Sequence, residues 1–391
     1  MSDRKIISIN EAREKQQAKK RPSRAKIWLF AAIIFATLVV LALIFLDEEL
    51  NLDKVRRFFT YFTASDQADY GEFSFDANHS NAYAAFDGGL AVAAQSGLRT
   101  YAANGTEVAL SQTSMSAPAI AASDSFAMAY DIGGDSILAV DRVGKTCLDL
   151  KAEGTIFDLD LAKSGYFCYT MSGEGYKTVL VVYNADRQEI YRWNSATDYL
   201  NCCAISKNGR YVAAISVGQT DTAFSSTALV LRTDETEPYA QIPLGSQAIY
   251  DLAFLDNGNL CAIGESSVQV MDVDGTLVGE YSYDNAQLAD FSIDSDGIAL
   301  YLSDLQGGRL AVLDEDGQCL QSKTPDKAPV SISLCGKYLA VLMPNEITIY
   351  NREFEVYWHS TNIITASQAL MRKDGTVILA GGSRATLYLP D

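Results

Sequence analysis

DNGNLCAIGESSVQVMDVDGTLVGEY occupies residues 256–281. Two short apolar runs, LCAI and VQVM, are separated by the polar GESS, and a Gly-bearing turn, DNG or DVDG, stands at each end of the pair. Apolar residues do not recur here at spacings of three and four, so helix is excluded and short strands joined by tight turns are predicted. Asn, Asp and Gly suit such turns because they tolerate the backbone conformations that close a hairpin.

The pattern returns along the chain. An apolar strand, a turn and a second apolar strand appear in eight places: YAAFDGGLAVAA, AIAASDSFAMAY, LDLAKSGYFCYT, CAISKNGRYVAAI, LAFLDNGNLCAI, FSIDSDGIALYL, SISLCGKYLAVL and ALMRKDGTVILA. Gly258, Gly297, Gly336 and Gly375 fall 39 residues apart. A second hairpin follows in each of the first seven units, as in ILAVDRVGKTCLDL and RLAVLDEDGQCLQS, and its last strand is polar. A period near 40 built of strands alone predicts an all-β propeller with four strands, A to D, in each blade. Eight blades are expected, with seven as the alternative if the weak first unit serves as a cap.

The eighth unit stops at ATLYLPD, a C strand with no D strand after it. Residues 70–78, YGEFSFDAN, alternate Phe73 and Phe75 and have no partner of their own. They are predicted to supply the outer strand of the last blade, closing the ring and hiding its sheet edge. The propeller then spans residues 70–391.

The N-terminal part differs in composition. Residues 1–26 hold nine Lys/Arg against three acids; subtracting this +6 from the total of −18 leaves −24 on the rest. An acidic body of this kind argues against nucleic-acid binding, which needs a basic surface. Residues 27–46, IWLFAAIIFATLVVLALIFL, carry no charge. As a helix they would span about 30 Å, the thickness of a bilayer core. They predict a single membrane anchor, with the basic tail of residues 1–26 in the cytoplasm and the remainder outside. Residues 47–69 form a juxtamembrane linker in which Leu52, Val55, Phe58, Phe59 and Phe62 recur at spacings of three and four, predicting a short amphipathic helix.

Chemical motifs are scarce. DVDG, DEDG and DSDG resemble pieces of calcium loops, but nothing nearby completes six to eight oxygen ligands. Only His79 and His359 are present, there is no CxxC pair and no GxSxG, so neither a zinc site nor a serine triad is predicted. Seven cysteines is an odd number, so one at least is free or pairs between chains. Cys168 and Cys261 are placed in B strands and Cys202–Cys203 in an A strand, as small buried hydrophobes. Two B–C connections look long: residues 171–177, MSGEGYK, and residues 217–228, VGQTDTAFSSTA. Insertions in repeat proteins gather on the binding face. Tyr176, Thr220, Asp221 and Phe224 are therefore the candidate ligand-binding residues.

The basic tail, the single anchor, the acidic propeller and above all residues 54–76, KVRRFFTYFTASDQADYGEFSFD, resemble a family of single-pass membrane proteins of unknown function from anaerobic Gram-positive bacteria. The resemblance implies a propeller outside the cytoplasmic membrane and assigns no functional residue. The expected function is a membrane-tethered binding or scaffolding module for a protein, peptide or cell-envelope ligand, without cofactor or metal. The alternative is an extracellular hydrolase or lyase using carboxylates in the central funnel.

Overall fold

The computed structural model describes residues 71–390 apart from 77, 79, 221, 222 and 306. The basic tail, the apolar segment 27–46 and the linker lie outside the described residues. Among those described there is no helix long and apolar enough to cross a membrane.

The described chain forms eight antiparallel four-stranded sheets. Seven are consecutive in sequence, over residues 82–112, 118–151, 156–195, 199–245, 249–282, 287–323 and 331–360. We number them blades 1 to 7. Residues 82–112 make a complete blade, so the weak first unit is not a cap and the ring has eight blades. The A strands of neighbouring blades lie against one another and line the centre.

Blade 8 joins both ends of the described chain. Its A, B and C strands are Gln368–Met371, Val377–Gly381 and Arg384–Tyr388, and Glu72–Ser74 pairs with the last of these through Glu72↔Thr386, Phe73↔Ala385 and Ser74↔Arg384. Phe73 is fully buried and meets the Tyr101 ring edge-on at 5.9 Å. The Tyr101 hydroxyl donates to the Ser74 carbonyl at 2.9 Å, which ties the closing strand to blade 1 as well.

Sequence pattern maps onto depth in the ring. B strands such as GLAVAA (89–94) are buried at every position because a neighbouring blade covers each face. D strands such as Leu277–Ser282 are mostly exposed, which explains the polar last strand of each repeat. The core lies between blades: Phe126, Met128 and Ile137 of blade 2 pack with Phe167, Tyr169 and Val181 of blade 3. Gly258 takes φ 90° in the A–B turn, where its N–H donates to the Leu255 carbonyl at 2.9 Å. A side chain would be strained there, so glycine recurs at this point.

Candidate functional site

A propeller's A strands leave one backbone edge facing the central channel, and those amides need acceptors. Here side chains of the preceding blade supply them. Asp158 accepts from Cys203 N–H and Asp160 from Ile205 N–H, both at 2.8 Å. Asp290 accepts from Ile332 N–H at 2.8 Å, Ser292 from Leu334 N–H at 2.9 Å and Asp294 from Gly336 N–H at 2.7 Å. These carboxylates sit at alternate A-strand positions, so successive ones point the same way, and they stitch blade 3 to blade 4 and blade 6 to blade 7.

Their ionisation follows their surroundings. Burial pushes the Asp160 carboxyl up to about 7, against the opposing pull of the Ile205 N–H. Burial likewise pushes Asp251 up to about 6. For Asp294 burial also acts upward, but the bonds from Gly336 N–H and Lys163 outweigh it and hold the carboxyl below its ordinary value.

At the A–B end the channel is bridged. Lys163 of blade 3 reaches across to Asp294 of blade 6 at 2.9 Å and to Ser295 Oγ at 3.0 Å. Lys207 pairs with Asp256 at 3.1 Å beside it. A cavity of about 280 Å³ lies behind these bridges, with Asp160 and Asp251 in its wall. Asp158, Asp160 and Asp290 are bonded to the next blade's backbone, whereas Asp251 accepts from Leu252 N–H of its own strand at 2.8 Å.

In two of the calcium-like turns, DVDG and DEDG, the first carboxylate closes the turn itself, whereas in DSDG Asp294 and Asp296 bond to Lys163, Gly336 and Arg352. Asp272 Oδ1 accepts from Asp274 N–H at 3.0 Å and Thr276 N–H at 2.8 Å. Asp314 does the same with Asp316 and Gln318.

The opposite end of the ring carries the B–C turns and the D–A links. The two long B–C connections are not loops but extended hairpins, which corrects the sequence reading. In blade 4 the strands Tyr211–Thr220 and Ala223–Arg232 pair in register from Tyr211↔Arg232 to Thr220↔Ala223. The flanking strands stop at Tyr199↔Val217 and Ser226↔Gly245. Residues 218–220 and 223–225 thus project as a two-stranded tongue. In blade 3 the pairing runs to Gly173↔Tyr176, leaving a two-residue turn.

Thr220 ends a strand of the tongue, and Phe224, opposite Gln219, is 42% exposed. Asp221 lies outside the described residues. Tyr176 opens the C strand of blade 3 and is 46% exposed. The sequence reading missed Tyr199 and Tyr250, the first residue of the A strand of blade 4 and the second of the A strand of blade 5, which are 59% and 52% exposed. The Lys177 ammonium lies 4.6 Å from the centre of the Tyr199 ring and donates to the Thr197 carbonyl at 2.8 Å. Of five exposed large aromatic residues among those described, four (Tyr176, Tyr199, Phe224 and Tyr250) stand at the B–C end of blades 3 to 5. The missed signal was an aromatic residue at the start of an A strand, where alternation should point it outward.

Gly71, just before the closing strand, lies at the other end of the ring: its Cα faces Leu387 and the Ala103 carbonyl beside a C–D turn. Gly71 thus stands at the end opposite the four aromatics.

Comparison with known proteins agrees with this architecture. The chain is similar in structure to Sqt1 of Saccharomyces cerevisiae, with a TM-score of 0.61 at 9% identity over 83% of this chain and all of the other. It is similar to the C-terminal WD40 domain of Sif2, at 0.59 and 11% over 84% of this chain and all of that one. It also resembles BamB from Moraxella catarrhalis, at 0.51 and 12% over 82% and 96% of the two chains. At such identities the likeness concerns the fold. No curated protein matches the sequence. Residues 65–361 match a family of unknown function (DUF5711), and the chain belongs to that family.

Proposed function

We propose that this DUF5711 propeller is a membrane-tethered, extracytoplasmic binding or scaffolding module. Its partner, a protein, peptide or cell-envelope ligand, docks on the B–C end of blades 3 to 5. The observation that carries the reading is the gathering of Tyr176, Tyr199, Phe224 and Tyr250 on that end. Exposed aromatics anchor interfaces because they bury much area at small entropic cost. The paired strand ends Gly218–Thr220 and Ala223–Ser225 add a ridge beside them. The tether is supported by the uncharged segment 27–46, which follows a basic tail.

The test is site-specific photocrosslinking in native membranes. A photoreactive residue at Phe224 or Tyr250 should give a discrete adduct, and one at Val143, an exposed C–D turn residue, should not. Adducts of equal yield from all three positions, or none from the first two, would refute the assignment of this face.

A further inference from the structure

A second cavity opens at the D–A end of the channel, on the arc formed by blades 6, 7, 8 and 1. Its volume is about 550 Å³, within the range of small-ligand sites. Its exposed wall is mostly polar and comes from successive A strands: Asp290 and Ser292 of blade 6, Ser331 and Ser333 of blade 7, Gln368 of blade 8, and Asn81 at the start of blade 1. No Lys, Arg or His lines it among the described residues.

The hydrogen-bond count leaves a definite surplus. Ser292, Ser331 and Ser333 each accept one backbone N–H of the next blade, at 2.9, 3.3 and 2.9 Å. A hydroxyl that accepts still has its own O–H to donate, and none of these three donates within the described protein. Ser331 is only 7% exposed, so its unused proton faces the cavity or nothing. Asn81 donates through Nδ2 to the Asp76 carbonyl at 2.9 Å, while its buried Oδ1 accepts no hydrogen bond among the described residues, with the Tyr83 side chain beside the amide. Such an atom ordinarily has a partner, protein or not. Gln368 adds an amide that bonds to nothing among the described residues.

Charge narrows the choice. An anionic ligand finds no cation here. A cationic ligand finds only Asp290, both of whose oxygens already accept backbone N–H groups, from Ile332 at 2.8 Å and Phe291 at 2.9 Å. A greasy ligand would strand the hydroxyls and amides at a cost of about 1–3 kcal/mol each. A ligand whose every polar group both donates and accepts meets the mixture of spare donors and the orphaned Asn81 acceptor. That is the chemistry of an uncharged sugar.

We propose that this cavity is a sugar-binding subsite that takes an uncharged residue of a glycan, with Gln368, Asn81 and the hydroxyls of Ser292, Ser331 and Ser333 as its hydrogen-bonding wall. It lies on the arc away from the aromatic patch, so it stands or falls separately from the partner surface proposed above.

The test is a glycan array carrying neutral, amino and acidic oligosaccharides, probed with the full-length protein in a zwitterionic, sugar-free detergent. Neutral glycans should be retained. Gln368→Leu, which keeps the side-chain size, should bind them about tenfold more weakly, as expected for loss of one or two hydrogen bonds. Ser333→Ala should weaken them similarly, and Val143→Ser, in an exposed C–D turn outside both proposed sites, should not. Gln368 supports no other described residue, so its variant reads binding and not folding, and an unchanged melting temperature checks this. Retention of no glycan, retention of charged glycans alone, or wild-type binding by Gln368→Leu would each overturn the proposal.

Discussion

Replacing Asp294 by alanine tests whether the channel carboxylates hold the blades together. The substitution removes the acceptor of Gly336 N–H and the partner of Lys163 together. An orphaned amide at this junction costs about 1–3 kcal/mol. The Lys163 side chain is 38% exposed, so solvent screens the ion pair and its share is about 1 kcal/mol. The sum is about 3 kcal/mol. Unfolding entropy near 2 cal/mol/K per residue, over a ring of roughly 320 residues, converts this to a fall in melting temperature of about 4 °C. Asp294→Asn keeps an oxygen for Gly336 and should lose only about 1 kcal/mol, or ~1.5 °C. The folded carboxyl lies below its ordinary value, so its contribution is complete above the unfolded value near 4. It disappears as pH falls through the folded value. Calorimetry at pH 7 should therefore rank wild type, Asp294→Asn and Asp294→Ala in that order, and the gap between the first two should narrow as the pH falls below 4. A Lys163→Met background should abolish the difference between wild type and the Asn variant. If Asp294→Ala melts no lower than Glu174→Ala, an exposed turn control, the stitching argument is wrong.

Other outcomes follow from the same structure. Phe73→Ala, which empties a fully buried site in the closing strand, should cost about 3–5 kcal/mol and lower the melting temperature by about 5 °C or more; a fall under 1 °C would mean that this strand does not fasten the ring. Asp160 is the opposite case to Asp294: its folded value, near 7, stands above the unfolded one. Its stabilisation is present below pH 4 and is lost between pH 4 and 7 at no more than about 1.4 kcal/mol per unit. Denaturant titrations should show Asp160→Asn gaining on wild type across that interval, and parallel curves would refute the assignment. Phe224→Ser and Tyr176→Ser should reduce partner crosslinking several-fold while leaving stability within about 0.5 kcal/mol, as for exposed positions. Protease added to intact cells should cleave the propeller if it is extracytoplasmic; protection equal to that of a cytoplasmic marker would reverse the topology.

Much of the ring was legible because its determinants are local. A turn that needs a left-handed residue shows as Gly258 or Gly375, and a sheet covered on both faces shows as an unbroken apolar run such as GLAVAA. The count of blades followed from eight A–B hairpins, and the closing strand from Phe73 and Phe75 alternating without a nearby partner. The channel was not legible in the same way. FDLDLAK and ADFSID do carry the signal, an Asp at alternate positions of an A strand, but nothing local says that its acceptor serves an amide some forty residues later. The length of the B–C connections was read correctly and their form was not. VGQTDTAFSSTA looks like a loop because Gly218, Thr220 and Ser225 are polar or small. Its ten-pair register extends the strands of an already formed blade, which only the assembled sheet makes favourable.

The three-pair clasp between Glu72–Ser74 and Arg384–Tyr388 has a mechanical side. Those residues lie more than three hundred positions apart in the chain, so a growing polypeptide holds a complete row of seven sheets that cannot be locked until its last strand is made. Once locked, tension applied through Gly71 runs along the axis of the closing strand, and its hydrogen bonds are loaded in shear together instead of being peeled one by one. A protein pulled from its N-terminal side would therefore resist until the clasp yields as a unit, and would then open at one seam with seven blades still whole.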